Sequence, residues 1–236
     1  MKKLIFLLLA LCLSSPVFSA TVTDSVTVAT DGFKGVPPSG SYVWATSGGS
    51  TPYRYLQFGD NSGSYYTSNI RFDLSGAKAI PANATITSFT IRFFNTTKDA
   101  VSRNYYLKVA AFDSSTAPAI TDSAGFNLQN SKLTTAQIDW DRTGTRDSTY
   151  YTTAECATVL QELVTDNSGV NGFVQLFVSN DGGAANAYYR MIAAEETGYT
   201  ARMATAIWTY TTPASANTRA KGQRFPAADM KDGRVW

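Results

Sequence analysis

Ten short runs of strand-forming residues, each closed off by turn formers, limit this chain to a β-rich fold. The runs are Val22–Thr30, Ser41–Ala45, Tyr53–Phe58, Thr67–Leu74, Ile86–Phe94, Tyr105–Phe112, Gln137–Trp140, Gly172–Val178, Ala187–Ala193 and Ala204–Thr211. In Ile86-Thr-Ser-Phe-Thr-Ile-Arg-Phe the apolar side chains mostly recur by twos, and Leu107-Lys-Val-Ala-Ala-Phe repeats this in part. A period of two puts successive side chains on opposite faces, which suits strands with one face buried and one wet. Val36-Pro-Pro-Ser-Gly, Ser47-Gly-Gly-Ser, Asp60-Asn-Ser-Gly-Ser and Asn180-Asp-Gly-Gly are loops by composition. So many short strands predict an all-β sandwich of two stacked antiparallel sheets.

One segment follows another rhythm. Cys156, Val159, Leu160, Leu163 and Val164 recur at helical spacing. Thr152 and Glu155 have the spacing of a capping box, and Asn167-Ser-Gly supplies a stop. The sequence therefore predicts one short α-helix at about 153–164, with Cys156 as inert packing on its buried stripe.

The two ends differ from the body. Met1-Lys-Lys is followed by ten apolar residues, Leu4 to Leu13, then by Val17 and Ser19 at the small-residue positions before a cut. That run is too short to span a bilayer and fits a secretory signal over 1–19. The expected localisation is secreted, extracellular or cell-surface, with the periplasm a possibility, and with no transmembrane segment after cleavage. Removing the signal takes Cys12 and two lysines, leaving 18 basic and 18 acidic residues and Cys156 as the single thiol. From residue 213 the chain turns small and polar, with Arg219, Lys221, Arg224, Lys231 and Arg234 against Asp229 and Asp232. Residues 213–236 read as a flexible basic tail after a domain at 20–212.

Composition removes several function classes. The chain of 236 residues has no His, which excludes Ser–His and Cys–His catalytic units and imidazole metal sites. A balanced charge argues against a nucleic-acid partner. Asp139 and Asp141 flank Trp140, and Glu195-Glu196 are adjacent, but no spacing marks a catalytic pair across a cleft. Pairing of carboxylates with Arg71, Arg142, Arg190 or Arg202 is the expected use, and the chain reads as a non-enzyme.

Five stretches, in order, resemble a secreted bacterial jelly-roll family, the DNRLRE-type or carbohydrate-binding-module-like domains. They are Ile70-Arg-Phe-Asp-Leu-Ser, Ile80-Pro-Ala-Asn-Ala-Thr-Ile-Thr-Ser-Phe-Thr-Ile, Leu133-Thr-Thr-Ala-Gln-Ile-Asp-Trp, the helix with Val159, Gln161 and Glu162 leading to Gly172-Phe-Val, and Tyr189 to Tyr210. The last strand departs from the family pattern, with Met203-Ala204 where a proline is usual. The resemblance implies a jelly roll serving as an accessory or surface module, of a kind that sits beside glycan-active enzymes or on cell-surface proteins and in some cases binds polysaccharide.

Four Tyr-Tyr pairs stand at 65–66, 105–106, 150–151 and 188–189. On a strand each pair puts one ring in and one out. The rings expected to face a polysaccharide or cell-surface glycan are Trp44, Tyr53, Tyr55, Tyr66, Tyr106, Tyr151 and Tyr189. Oxygen-rich positions Asp60, Asn61, Asp73 and Asp181, with Asn180, are candidates for a structural calcium ion, although turns use the same residue types; no other cofactor is expected. The rival reading is a structural or adhesive surface protein that self-assembles through its sheet edges or tail, and a weaker one is a polysaccharide-active enzyme.

Overall fold

A single 17-residue strand, β1 (Ala20–Val36), belongs to both sheets of the protein in the computed structural model. The described residues are 20–36, 55–120, 122–182, 185–192 and 202–213, except for the side chains of Ala20, 23–36, Tyr55, Ser64, Ser123, Met191 and Ile192. The expected signal, the tail beyond 213, the strand at 41–45, Trp44 and Tyr53 lie outside them. The first half of β1 pairs with β14 (Thr205–Thr212), from Ala20↔Thr212 to Thr27↔Thr205. From Val28 onward it pairs with β3 (Ser64–Asp73), after a register shift between Val28 and Thr30. A bulge of this kind bends a strand and raises its twist, which lets β1 leave one sheet and enter the other.

The first sheet runs β10 (Tyr150–Thr152), β5 (Thr85–Phe94), β14, β1. The second runs β1, β3, β12 (Phe173–Asn180), β7 (Leu107–Ala111), β8 (Ile138–Asp139). At the far end of β3, β2 (Tyr55–Asn61) turns back as a hairpin and pairs onward with β13 (Tyr188–Ile192). Two ribbons complete the strands: β4 (Ile80–Pro81) with β11 (Gly169–Val170), and β6 (Asp99–Tyr105) with β9 (Arg142–Arg146). Every pairing among the described residues is antiparallel, and the expected all-β sandwich is borne out.

The period-two pattern of β5 works as the sequence predicts. Phe89, Ile91 and Phe93 are buried while Thr85, Thr87 and Arg92 are exposed. They join Ala206 and Trp208 of β14 against Ile70, Phe72, Val174, Leu176 and Val178 of the second sheet. Each such side chain contributes roughly 1.5–3 kcal/mol when fully buried. The strands that end the described pairing, β10, β8 and β13, have only three, two and five residues. Short edges offer little template for pairing with another chain.

The helical segment differs from expectation at its start. It is Ala157–Asp166, with Cys156 at the N-cap and no side-chain cap. Thr152 belongs to β10, and Glu155 accepts hydrogen bonds from the Phe89 N–H and the Ser88 hydroxyl of β5 as well as from the N–H of Ala157 at the helix start. Its stop is as read: Asn167 closes the helix, and Ser168 and Gly169 take left-handed backbone. Val159, Leu160, Leu163 and Val164 are fully buried, packing onto β5 and β7. Counting this helix as α2, a second one, α1 (Ser123–Asn130), precedes it, so among the described residues the expectation of one α-helix is corrected to two. Asp122 caps α1 through the Gly125 N–H at 2.7 Å. Phe126 of α1 meets Phe177 edge to face at 5.3 Å, covering the outer side of β12.

Candidate functional site

The Tyr-Tyr pairs split between core and solvent, as alternation requires, but the register decides which ring goes where. Tyr65, Tyr106 and Tyr150 are exposed, at 50%, 38% and 37%. Tyr105 and Tyr189 are fully buried, and Tyr66 and Tyr151 pack partly buried against the core. Of the rings expected to face a glycan, only Tyr106 is exposed among those with described side chains. Tyr66, Tyr151 and Tyr189 are corrected to inward positions. The reason is parity: Phe72, Ile70 and Ser68 of β3 face the core, and Tyr66 falls on the same side.

Tyr189 sits in an aromatic knot. Its ring stacks on Trp140 at 5.6 Å with planes 11° apart. Tyr105 lies at 4.9 Å, Tyr151 at 5.0 Å, and Phe58 and Phe93 at 5.7 Å each. Arg142 roofs the knot from β9: its Nη1 donates to the Tyr189 hydroxyl at 2.6 Å and its guanidinium lies 4.7 Å from the Tyr151 ring. Burial pushes the Tyr189 phenol up to about 12, against the opposing pull of Arg142. Burial also raises the Tyr105 phenol, whose hydroxyl has no hydrogen-bond partner. A phenol held protonated and sealed from solvent is poorly suited to act as a base.

The most developed exposed aromatic feature lies on the outer side of the first sheet. Tyr150 and Phe94 are cross-strand partners, ring to ring at 5.2 Å and nearly perpendicular. Arg92 lies 4.0 Å from the Tyr150 ring, and Arg202 4.7 Å from that of Phe94. Sequence reasoning chose Tyr151 from this pair and missed Phe94, Arg92 and Arg202. The signal was present in β5, where core-facing Phe93 forces Arg92 and Phe94 outward.

The other expectations resolve residue by residue. Arg71 donates to the Ala117 carbonyl and lies 3.4 Å from the Phe173 ring, and Arg190 donates to Gln57 Oε1 at 3.1 Å. With Arg142, these arginines take carbonyls, an amide, a phenol and rings, not the carboxylate partners expected for them. Asp60 accepts the Gly63 N–H at 2.7 Å, closing the β2–β3 hairpin, where Asn61 pairs with Ser64. Asp73 accepts the Ser75 N–H at the opposite end of β3, roughly 26 Å away at strand rise. Asp181 pairs with Lys108 at 2.8 Å, and Asn180 is matched with Leu107. Asp60, Asn61, Asp73 and Asp181 therefore do not form one ion site, since Asp60 and Asp73 are a strand length apart. Cys156 is buried as expected, its thiol pushed up to about 11 by burial.

No family model matches the chain, and no curated protein matches it either.

Proposed function

We propose that the protein is a non-catalytic module, exported to the cell surface or beyond, that binds polysaccharide through solvent-facing aromatic rings. The observation that carries this reading is that Tyr65, Tyr106 and Tyr150 each turn outward beside a buried or partly buried neighbour. Among them Tyr150 has the best-developed surroundings, with Phe94, Arg92 and Arg202 around it. Aromatic rings offer an apolar face to sugar C–H groups, and the guanidiniums donate to sugar oxygens. The short outer strands β10 and β8 favour ligand binding over edge-to-edge assembly.

The test is a glycan-array screen followed by titration. The expected result is micromolar to millimolar affinity for at least one polysaccharide, weakened by Tyr150→Ala by about fivefold without loss of folding. Absence of binding to any glycan would remove this reading.

A further inference from the structure

We propose a second carbohydrate subsite, for a neutral sugar, in the cleft where α2 gives way to β11. This inference rests on the polysaccharide-binding reading but on different residues. The cleft has a volume of about 650 Å³ and is lined by Ser115, Asn167, Ser168, Asn171 and Tyr210, together with Ala79 and the residues of β4 and β11. That size lies within the roughly 300–1,000 Å³ of small-molecule sites. It opens near the Ile86 end of β5, whose register partner is Tyr210. Phe94, beside Tyr150, is eight residues further along the same strand, roughly 26 Å away.

The two carboxamides in the cleft are fixed in complementary senses. Asn167 donates through Nδ2 to the Leu163 carbonyl at 3.1 Å and to Asp113 Oδ1 at 3.2 Å. Both of its N–H bonds are engaged, so its oxygen is the group left to offer, as an acceptor. Asn171 is the reverse: its Oδ1 accepts the Gly76 N–H at 3.2 Å, leaving its NH₂ group as a donor. The Ser115 and Ser168 hydroxyls can both donate and accept, and Tyr210 adds a half-buried ring with a phenol at its tip. Neighbouring sugar hydroxyls present donor and acceptor together, while the sugar's C–H face is apolar. None of the described lining side chains is charged, so an acidic sugar would lose hydration without gaining a counter-ion. The set fits a neutral hexose unit.

The experiment is an amide-shift titration of the isotope-labelled protein with cellohexaose, mannohexaose and hexagalacturonate. The expected result is that a neutral hexaose shifts the amides of Ser115, Ser168, Gly169 and Asn171, whereas hexagalacturonate leaves them in place. Ser115→Trp, which fills the cleft, should weaken the neutral-hexaose binding read at those amides by about tenfold or more. Neutral-hexaose shifts confined to the Tyr150 face, or unchanged affinity in a folded Ser115→Trp protein, would overturn the cleft while leaving the polysaccharide reading intact. Failure of every glycan to bind would overturn both. Shift mapping on the unaltered protein decides the matter even if Ser115→Trp does not fold.

Discussion

Arg142 reaches over the aromatic knot to donate a 2.6 Å hydrogen bond to the Tyr189 hydroxyl, whose ring has no solvent exposure at all. Tyr105, the neighbouring ring at 4.9 Å, is as deeply buried, but its hydroxyl has no partner. Two phenols in one cluster should therefore respond oppositely to losing their oxygen. Tyr189→Phe is expected to cost about 1–3 kcal/mol, because it strips Arg142 of its acceptor. Tyr105→Phe is expected to be neutral or stabilising, since it removes an unsatisfied polar atom. Urea unfolding of the two variants checks this, and equal losses would contradict the assignment.

Alkaline pH should weaken the fold before any change is expected of the backbone. Burial raises the Cys156 thiol from 9.0 to about 11 and the Tyr189 phenol from 10.0 to about 12. Between those values the unfolded chain has released protons that the folded chain still holds, so stability falls as pH rises. The contribution is complete below about pH 9 and is lost progressively towards about pH 12. Thermal unfolding at stepped pH should show that decline, and Cys156→Ser should flatten it most between about pH 9 and 11.

Glu162 fastens the loop before β8 to α2. Its two carboxylate oxygens accept the Thr135 and Ala136 N–H groups, each at 2.6 Å. Glu162→Ala should cost about 1–3 kcal/mol, and Glu162→Gln, which keeps one acceptor, should cost less. Hydrogen exchange at Thr135 and Ala136 gives a local readout, with faster exchange expected in the alanine variant.

Gly59 occupies the point where β2 leaves β3 for β13. Its φ is +102°, and a Cβ there would come within 2.8 Å of the Tyr188 Cα and press on the Ala187 carbonyl oxygen. Gly63, in the hairpin turn, has φ +82° but open space around it. Gly59→Ala should cost more than about 2 kcal/mol, against roughly 1 kcal/mol for Gly63→Ala. Comparable melting temperatures would show that the close approach at Gly59 relaxes freely.

The pair Tyr150-Tyr151 offers a test of ligand contact against packing. Tyr151 stacks on Phe93 at 6.1 Å, and its hydroxyl accepts the Asp147 N–H at 2.9 Å. Tyr151→Ala should lower stability by a few kcal/mol. Tyr150→Ala should leave the melting temperature nearly unchanged and weaken polysaccharide binding. If Tyr151→Ala alone weakened binding in a folded protein, the outward assignment would be wrong.

Much of this fold is legible in the amino-acid sequence alone. Strands such as β5 and β12 announce themselves, and the stop at Asn167-Ser168-Gly169 falls where turn chemistry puts it. What the sequence hid has physical causes. Helix α1 buries only Phe126 and Gln129 among its described side chains and carries Gly125 inside, so it has no apolar stripe to detect. The start of α2 moved because Glu155 serves β5 across space, and local spacing cannot distinguish that from a cap. Strand β1 runs past its expected end at Thr30, through Gly32 and Gly35, because pairing to β3 outweighs the weak local preference of those residues. The tyrosine pairs showed that one ring of each must be hidden, but not which. That depends on register with strands far away in sequence.

The strand that ties the two sheets together also governs the order in which the fold can form. The later half of β1 meets β3, which follows within a short stretch of chain. Among the described strands, its earlier half, Ala20–Thr27, pairs with β14, which comes last in chain order. Contacts so distant in sequence form slowly, because nearly the whole domain must be looped closed first. During synthesis the first segment emerges long before its partner exists, and its bare edge can pair with other chains. The interval in which residues 20–27 wait for the final strand is therefore the stage of folding most open to pairing with other chains.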